Sequence, residues 1–302
     1  MPFKYYHLNM PMLLIVLAVF FQSTSVTGQS NQKTPIDFNL NHFYISIDST
    51  TFHALLDHPE MLTNYFEADS GMPEFNSVND STGIIYLRGK TVYMELMGPK
   101  NKFGVPEGMT GFGFSEDTQL PLDPLWENQI DSLFKGMGAK FGNNKHKTSN
   151  SKSINWFDTA YIPDSTTKTH TWYSRFNPEF LSEITGKEYD TYTREAYLSL
   201  TRTGEKKVQN ITGITLELNK KDFDRISEEF NRLQVLKTEQ GSKGNSYMLG
   251  DVEIVLRESD TSKLLMVKFQ MIGNSNCNCK VGNIEFTCHD DELKMHFLSN
   301  ME

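Results

Sequence analysis

Two stretches of this chain run through the same order of elements, and that repetition limits what it can fold into. NHFYISID (41–48) leads through the helix-like TTFHALLDHPEMLTNYF (50–66) to a hairpin, GIIYLRGKTVYMEL (83–96). TGITLELN (212–219) leads through KKDFDRISEEFNRL (220–233) to a second hairpin, NSYMLGDVEIVL (245–256). A strand, helix and hairpin unit has one apolar face and cannot bury it alone, so copies must pack together. Offsets match when His42 is set against Gly213 and Asp48 against Asn219. Setting Gly89 against Gly250 matches Glu95 with Leu256. Thr110–Phe176 follows the same order as a more diverged copy. The expected fold is α+β, with repeated β-α-β-β-β modules forming curved mixed sheets.

The repeat sets the expected domains. Residues 38–108 form a first module, 109–205 a diverged middle module, and 206–302 a late module with C-terminal strands. In the second hairpin strand of the first module, Val92, Met94 and Leu96 share one face, while Tyr93, Glu95 and Met97 share the other. An acidic residue beside an aromatic and a thioether singles out Glu95. TGFGFS (110–115) reads as a strand whose glycines permit close backbone approach. LDPLWENQIDSLFKGMG (122–138) reads as a helix, and 139–154 as a polar loop. INWFDTAYI and THTWYSRF read as strands, FNPEFLSEITG as a short helix after Pro178, and 188–200 as helical or irregular.

Ahead of the modules, residues 1–28 read as a signal peptide. Lys4 and His7 precede the apolar run Met12–Phe21, and Val26 and Gly28 suit cleavage before Gln29. Residues 29–37 form a polar, disordered lead-in. The apolar run is short for a permanent anchor, and no later stretch approaches a span's length. The expectation is an exported protein, periplasmic or secreted, with no stable membrane span in the mature chain; an uncleaved N-terminal anchor is the alternative. Export permits a disulfide between Cys277 or Cys279 and Cys288, which would staple neighbouring strands. The three cysteines with His289 as a metal knuckle is the other reading.

The 302 residues carry a formal charge of -9. That balance disfavours phosphate backbones, so nucleic acid is excluded as a partner. No G-x-S-x-G elbow, H-E-x-x-H, P-loop or dinucleotide fingerprint appears, which argues against serine hydrolases, common metalloproteases and nucleotide-binding enzymes. The expected partner is a small-molecule ligand. Tyr93, Trp156, Trp172 and Tyr173 are candidates to line its pocket, or to serve as core. Asp158 and Glu116 are spare acidic candidates.

With LNHFYI at the first strand, YMEL at the second hairpin strand and GMTGFGFSED at the start of the middle copy, the chain resembles the vicinal oxygen chelate superfamily. That group includes glyoxalases and ring-cleaving dioxygenases, and the closer likeness is to an exported, largely uncharacterised branch. The resemblance covers residues 38–270 and implies a glyoxalase-like fold. It implies metal ligands on the first and last strands of a module, where His42 and Glu95 stand. The middle copy has Phe114 where the related Gly-Phe-Gly-His sequence carries a ligand, and His170 is the substitute on a later strand. His42, Glu95 and His170 would hold one divalent metal (Zn, Ni or Fe), with Glu95 also the catalytic proton carrier. The activity implied is that of a metal-dependent lyase, isomerase or dioxygenase acting on a small organic molecule. The alternative is a non-catalytic small-molecule binding protein on the same scaffold.

Overall fold

The computed structural model describes residues 36–72, 75–148, 151–241 and 244–298; the expected signal peptide and all but the end of the lead-in lie outside them. The chain opens with β1 (Asn39–Ser46), α1 (Ser49–Asp57), α2 (Pro59–Tyr65), β2 (Glu67–Asp69), β3 (Ile84–Arg88) and β4 (Tyr93–Met97). Asp48 caps α1 by accepting from the Thr51 N–H at 2.8 Å. Pro59 ends that run and starts α2, where its missing N–H costs nothing. The two helices return the chain so that β1 and β4 pair in parallel.

The same order follows in β5 (Thr110–Glu116), β6 (Thr118–Gln119), α3 (Trp126–Leu133), β7 (Lys140–Lys147), β8 (Ser153–Tyr161) and β9 (Thr169–Phe176). Here β5 and β9 are the parallel pair. The expected loop over 139–154 is corrected: half of it is β7, paired in antiparallel fashion with β8, whose first residues also fall in that range. A connecting segment holds α4 (Pro178–Thr185), β10 (Thr191–Tyr192) and α5 (Arg194–Leu198), with β10 pairing to β6. Asn177 caps α4 and Gly186, at φ 68°, ends it in the left-handed region.

A third unit comprises β11 (Val208–Asn219), α6 (Lys220–Arg232), β12 (Leu236–Gly241), β13 (Gly244–Leu249) and β14 (Val252–Ser259). A fourth comprises β15 (Lys263–Met271), β16 (Cys277–Val281), β17 (Ile284–His289) and β18 (Glu292–Phe297). The third keeps the parallel closure, β11 against β14. In the fourth, β15 and β18 are antiparallel, because no helix intervenes and the chain reverses direction one time fewer. Cys277 and Cys288, opposed on β16 and β17, form the disulfide, leaving Cys279 as a free thiol.

These units make two eight-stranded mixed sheets, ordered β2-β3-β4-β1-β5-β9-β8-β7 and β12-β13-β14-β11-β15-β18-β17-β16. The architecture is α+β, with repeated modules in curved sheets, as in the glyoxalase-like arrangement. One continuous core draws on both sheets and on α1, α2, α3 and α6. Phe230 of α6 meets Phe114 of β5 edge-on, with ring centroids 5.6 Å apart. Polar groups join the halves as well. Glu229 of α6, fully buried, accepts from the Tyr173 hydroxyl at 2.6 Å and pairs with Arg225. Asp222, equally buried, accepts from Ser262 at 2.6 Å and from Thr167.

The strand registers of the two repeats match with one change to the expected alignment. In the first sheet His42 is opposite Tyr93, and Glu95 opposite Tyr86. In the second, Gly213 is opposite Glu253, and Val255 opposite Ser246. Glu95 therefore corresponds to Val255, not Leu256, and the turn residue Gly250 corresponds to Lys90, not Gly89. The slip matters because one residue exchanges the two faces of a strand.

Candidate functional site

The open face of the first sheet carries a cavity of about 470 Å³, opposite the face that enters the core. Its floor is His42 on β1 and Glu95 on β4. They do not stand directly side by side: the parallel register puts His42 beside Tyr93 and Tyr44 beside Glu95. The two groups meet on the diagonal, with Nε2 and Oε1 4.0 Å apart.

Three contacts fix the imidazole. Its Nδ1 lies 2.7 Å from Asn41 Oδ1, its ring stacks on Tyr93 with centroids 4.7 Å apart, and the edge of Trp172 meets it at 5.1 Å. Asn41 Nδ2 donates to Ser115 Oγ at 3.1 Å, which leaves the amide oxygen to accept the Nδ1 proton. The lone pair of the neutral ring is then on Nε2, toward Glu95. Burial pushes the His42 pKa down to about 3. Burial also pushes the Glu95 carboxyl up to about 8, against the opposing pull of Arg88 and Lys102. Near pH 7 the two face each other as neutral base and neutral acid, rather than as an ion pair.

Arg88 lines the wall and is held there by a bidentate carboxylate partner. Its Nη2 donates to Asp69 Oδ1 at 2.9 Å, and its Nε donates to Oδ2. The guanidinium also lies 5.1 to 5.5 Å from the ring centroids of Phe75, Tyr86 and Tyr93. Lys102 and the 60% exposed Phe103 stand at the mouth. Gly113 is a spatial requirement: a Cβ there would lie 2.7 Å from Trp172 Nε1 and 2.8 Å from His42 Cε1.

Of the residues singled out in the sequence, Tyr93, Trp156 and Trp172 line this cavity with His42 and Glu95. Tyr173 does not. Successive residues of β9 point to opposite faces, so Trp172 enters the cavity while Tyr173 enters the core beneath Phe114. Phe114, at the position where a ligand was sought, also faces the core. His170 shares the face of Trp172, but its register partner is Gly111, whose partner is Tyr44, beside Glu95. Three strand spacings, roughly 14 Å along the sheet, therefore separate the His170 and Glu95 backbones. His170 borders a different cavity.

The three-ligand metal set is corrected accordingly: His42 and Glu95 come together, and His170 does not complete them. Among the described residues, no three His, Cys, Asp or Glu side chains form a group that could hold a metal ion. Beside Asn41, Arg88 and Lys102, the pair is surrounded by the rings of Tyr44, Tyr86, Tyr93 and Trp172, and the indole covers Gly113 on the neighbouring strand. This donor set does not fit a facial triad. Asp158 and Glu116 lie outside the cavity. Arg175 Nε donates to Asp158 at 2.8 Å, and burial pushes the Glu116 carboxyl up to about 7.

Sequence reasoning missed Arg88 with Asp69, the Asn41 orienting contact and Tyr86. Gly111 and Gly113, alternating on β5, were the available signal: bare backbone on one face marks where rings from neighbouring strands cross.

Residues 40–293 match the model of a family of unknown function, DUF5829, and the chain belongs to that family. No curated protein matches it. Among solved structures it is similar to a hypothetical protein from Staphylococcus aureus, at 10% identity over 81% of this chain and 95% of that one, with a TM-score of 0.43. It is similar to a xylose isomerase-like TIM barrel/4-hydroxyphenylpyruvate dioxygenase fusion protein, at 10% identity, 84% and 40% coverage and a TM-score of 0.44. A mutant 4-hydroxymandelate synthase from Streptomyces coelicolor gives 12% identity, 59% and 51% coverage and a TM-score of 0.26.

Proposed function

We propose that this chain is an exported small-molecule binding protein on a glyoxalase-like scaffold. Its ligand occupies the cavity of the first sheet, with His42 and Glu95 as the polar anchor. The observation that carries this reading is the floor itself: an oriented imidazole and a buried carboxyl, 4.0 Å apart, under aromatic walls. A planar, mostly apolar molecule with one hydroxyl or carbonyl group suits that surface. It can accept from the Glu95 acid or donate to His42 Nε2, while rings cover its faces. The Cys277–Cys288 disulfide supports export, because such bonds persist in oxidising compartments.

A second reading retains the metal-dependent lyase, isomerase or dioxygenase. It is favoured by the meeting of His42 and Glu95 on the first and last strands of one module. It requires a third donor from outside the His, Cys, Asp and Glu side chains. Titration with 1-naphthol separates the readings, since Trp156 and Trp172 on the cavity wall report occupancy by fluorescence. Saturable one-to-one quenching that survives a chelator and weakens in His42→Leu is the expected result. Absence of saturable binding, or binding that requires a stoichiometric divalent ion, overturns the metal-free reading.

A further inference from the structure

Trp172 lines two cavities. One is the cavity of about 470 Å³ above His42 and Glu95; the other, of about 480 Å³, lies further along β8 and β9. The second is walled by Tyr161, Ile162, Pro163 and His170, and shares Phe157 as well as Trp172 with the first. Along β9 the side chains of His170, Trp172 and Ser174 fall on one face, so the cavities are successive parts of one trough. Trp172 and Phe157 both stand at the junction, and the indole is the larger of the two. It lies across Gly111 and Gly113, where an added Cβ would come within 2.8 and 2.7 Å of its atoms. It stacks on Tyr44 at 5.9 Å and meets His42 edge-on at 5.1 Å. The second cavity has an apolar wall and an outlet to solvent, because Tyr161 is 42% exposed.

Resting on the reading that the first cavity binds a small molecule, we propose that Trp172 is its length-determining residue. The indole closes the trough beside the polar anchor, and its removal joins the second cavity to the first. The protein then takes an extended amphiphile, with its polar head at His42 and Glu95 and its apolar chain running past position 172 toward Tyr161. The chemical class is a hydroxylated ring bearing an alkyl tail. The two bare glycines supply the reason a partition sits here: they let the largest side chain lie flat against the sheet without filling the anchor site.

The test uses 4-alkylphenols, from 4-methylphenol to 4-heptylphenol, titrated calorimetrically into the full mature chain and into Trp172→Ala. Each methylene that enters an apolar cavity raises affinity about fourfold. In the wild type that gain stops within the first few methylenes. In Trp172→Ala it continues, so the variant binds 4-heptylphenol at least tenfold more tightly than the wild type, while gaining nothing for 4-methylphenol. Adding Tyr161→Ala to the variant reduces the long-chain gain, since only the second cavity contains that wall. If Trp172→Ala does not fold by circular dichroism, Trp172→Leu opens the same passage. Equal loss of affinity across the series, or one cut-off shared by wild type and variant, overturns the length role and leaves the first cavity's binding role intact. No binding of any member to the wild type overturns both.

Discussion

Removing the Asp69 carboxylate is the sharpest perturbation of the cavity wall. Arg88 is 2% exposed, and Asp69 supplies its bidentate partner. The attraction and the desolvation of the pair nearly offset one another, so the intact pair adds little net stability. Breaking it is different. Asp69→Asn keeps the shape but leaves a guanidinium buried without a counter-charge, which costs roughly 3–5 kcal/mol. The aromatic rings around Arg88 recover about 0.5–2 kcal/mol at most. The expected net loss is therefore about 1–4.5 kcal/mol, or a midpoint lowered by roughly 2–18 °C for a chain of this size. Urea denaturation followed by near-ultraviolet circular dichroism measures it. Asp224→Asn is the control: its partner Lys220 is exposed one turn away on the same helix face, and such a surface pair adds very little stability. The double change Asp69→Leu with Arg88→Met should be less damaging than Asp69→Asn, because no charge is left behind. A loss in Asp69→Asn no larger than that of the control would refute the reasoning, since it would mean that Arg88 is solvated.

Two further outcomes follow from buried polar groups. Glu95, held up at about 8 from an ordinary 4.5, contributes stability that is fully present below pH 4.5 and lost as pH rises through 8. His42, held down at about 3 from 6.5, contributes stability that is present above pH 6.5 and lost as pH falls through 3. The two slopes, each up to about 1.4 kcal/mol per pH unit, cancel between the ordinary values, so stability should be flat there and fall on either side. Glu95→Gln should remove the alkaline arm in pH-dependent urea melts; an unchanged arm would assign it to other groups. Tyr173→Phe deletes the 2.6 Å hydrogen bond to Glu229 and should cost about 1.5–3 kcal/mol by the same assay. A cost as small as that of the exposed-site change Tyr161→Phe would show that the bond joining the halves adds nothing.

The repeat was legible because its strands have one apolar face and its helix α6 has Ile226 and Phe230 turned to the core. β7 was not legible: it is an edge strand, paired only to β8, and KFGNNKHK lacks the apolar alternation that a buried strand shows. β12, with LKTEQG at the edge of the other sheet, lacks it for the same reason. The alignment slipped by one residue because two glycines do different work. Gly250, at φ 64°, makes its turn, whereas Gly89 is excluded from carrying a side chain by Asn210 Oδ1 and the Val92 carbonyl, each 2.7 Å from a Cβ there. His42 and Glu95 were recoverable from strand position and chemistry. Strand order was needed to see that His170 stands apart. Tyr173 is the instructive miss, since its adjacency to Trp172 on one strand already placed the two rings on opposite faces.

Native mass spectrometry of the purified protein, titrated with 1-naphthol, tests the central claim most directly because bound organic molecules and bound metal are read from the same spectrum. The account predicts one naphthol per chain with no accompanying divalent ion, and loss of that adduct in a folded Ser174→Phe variant, whose ring fills the cavity. A stoichiometric divalent ion retained by the wild type and lost in His42→Ala, with naphthol binding lost alongside it, would contradict the account.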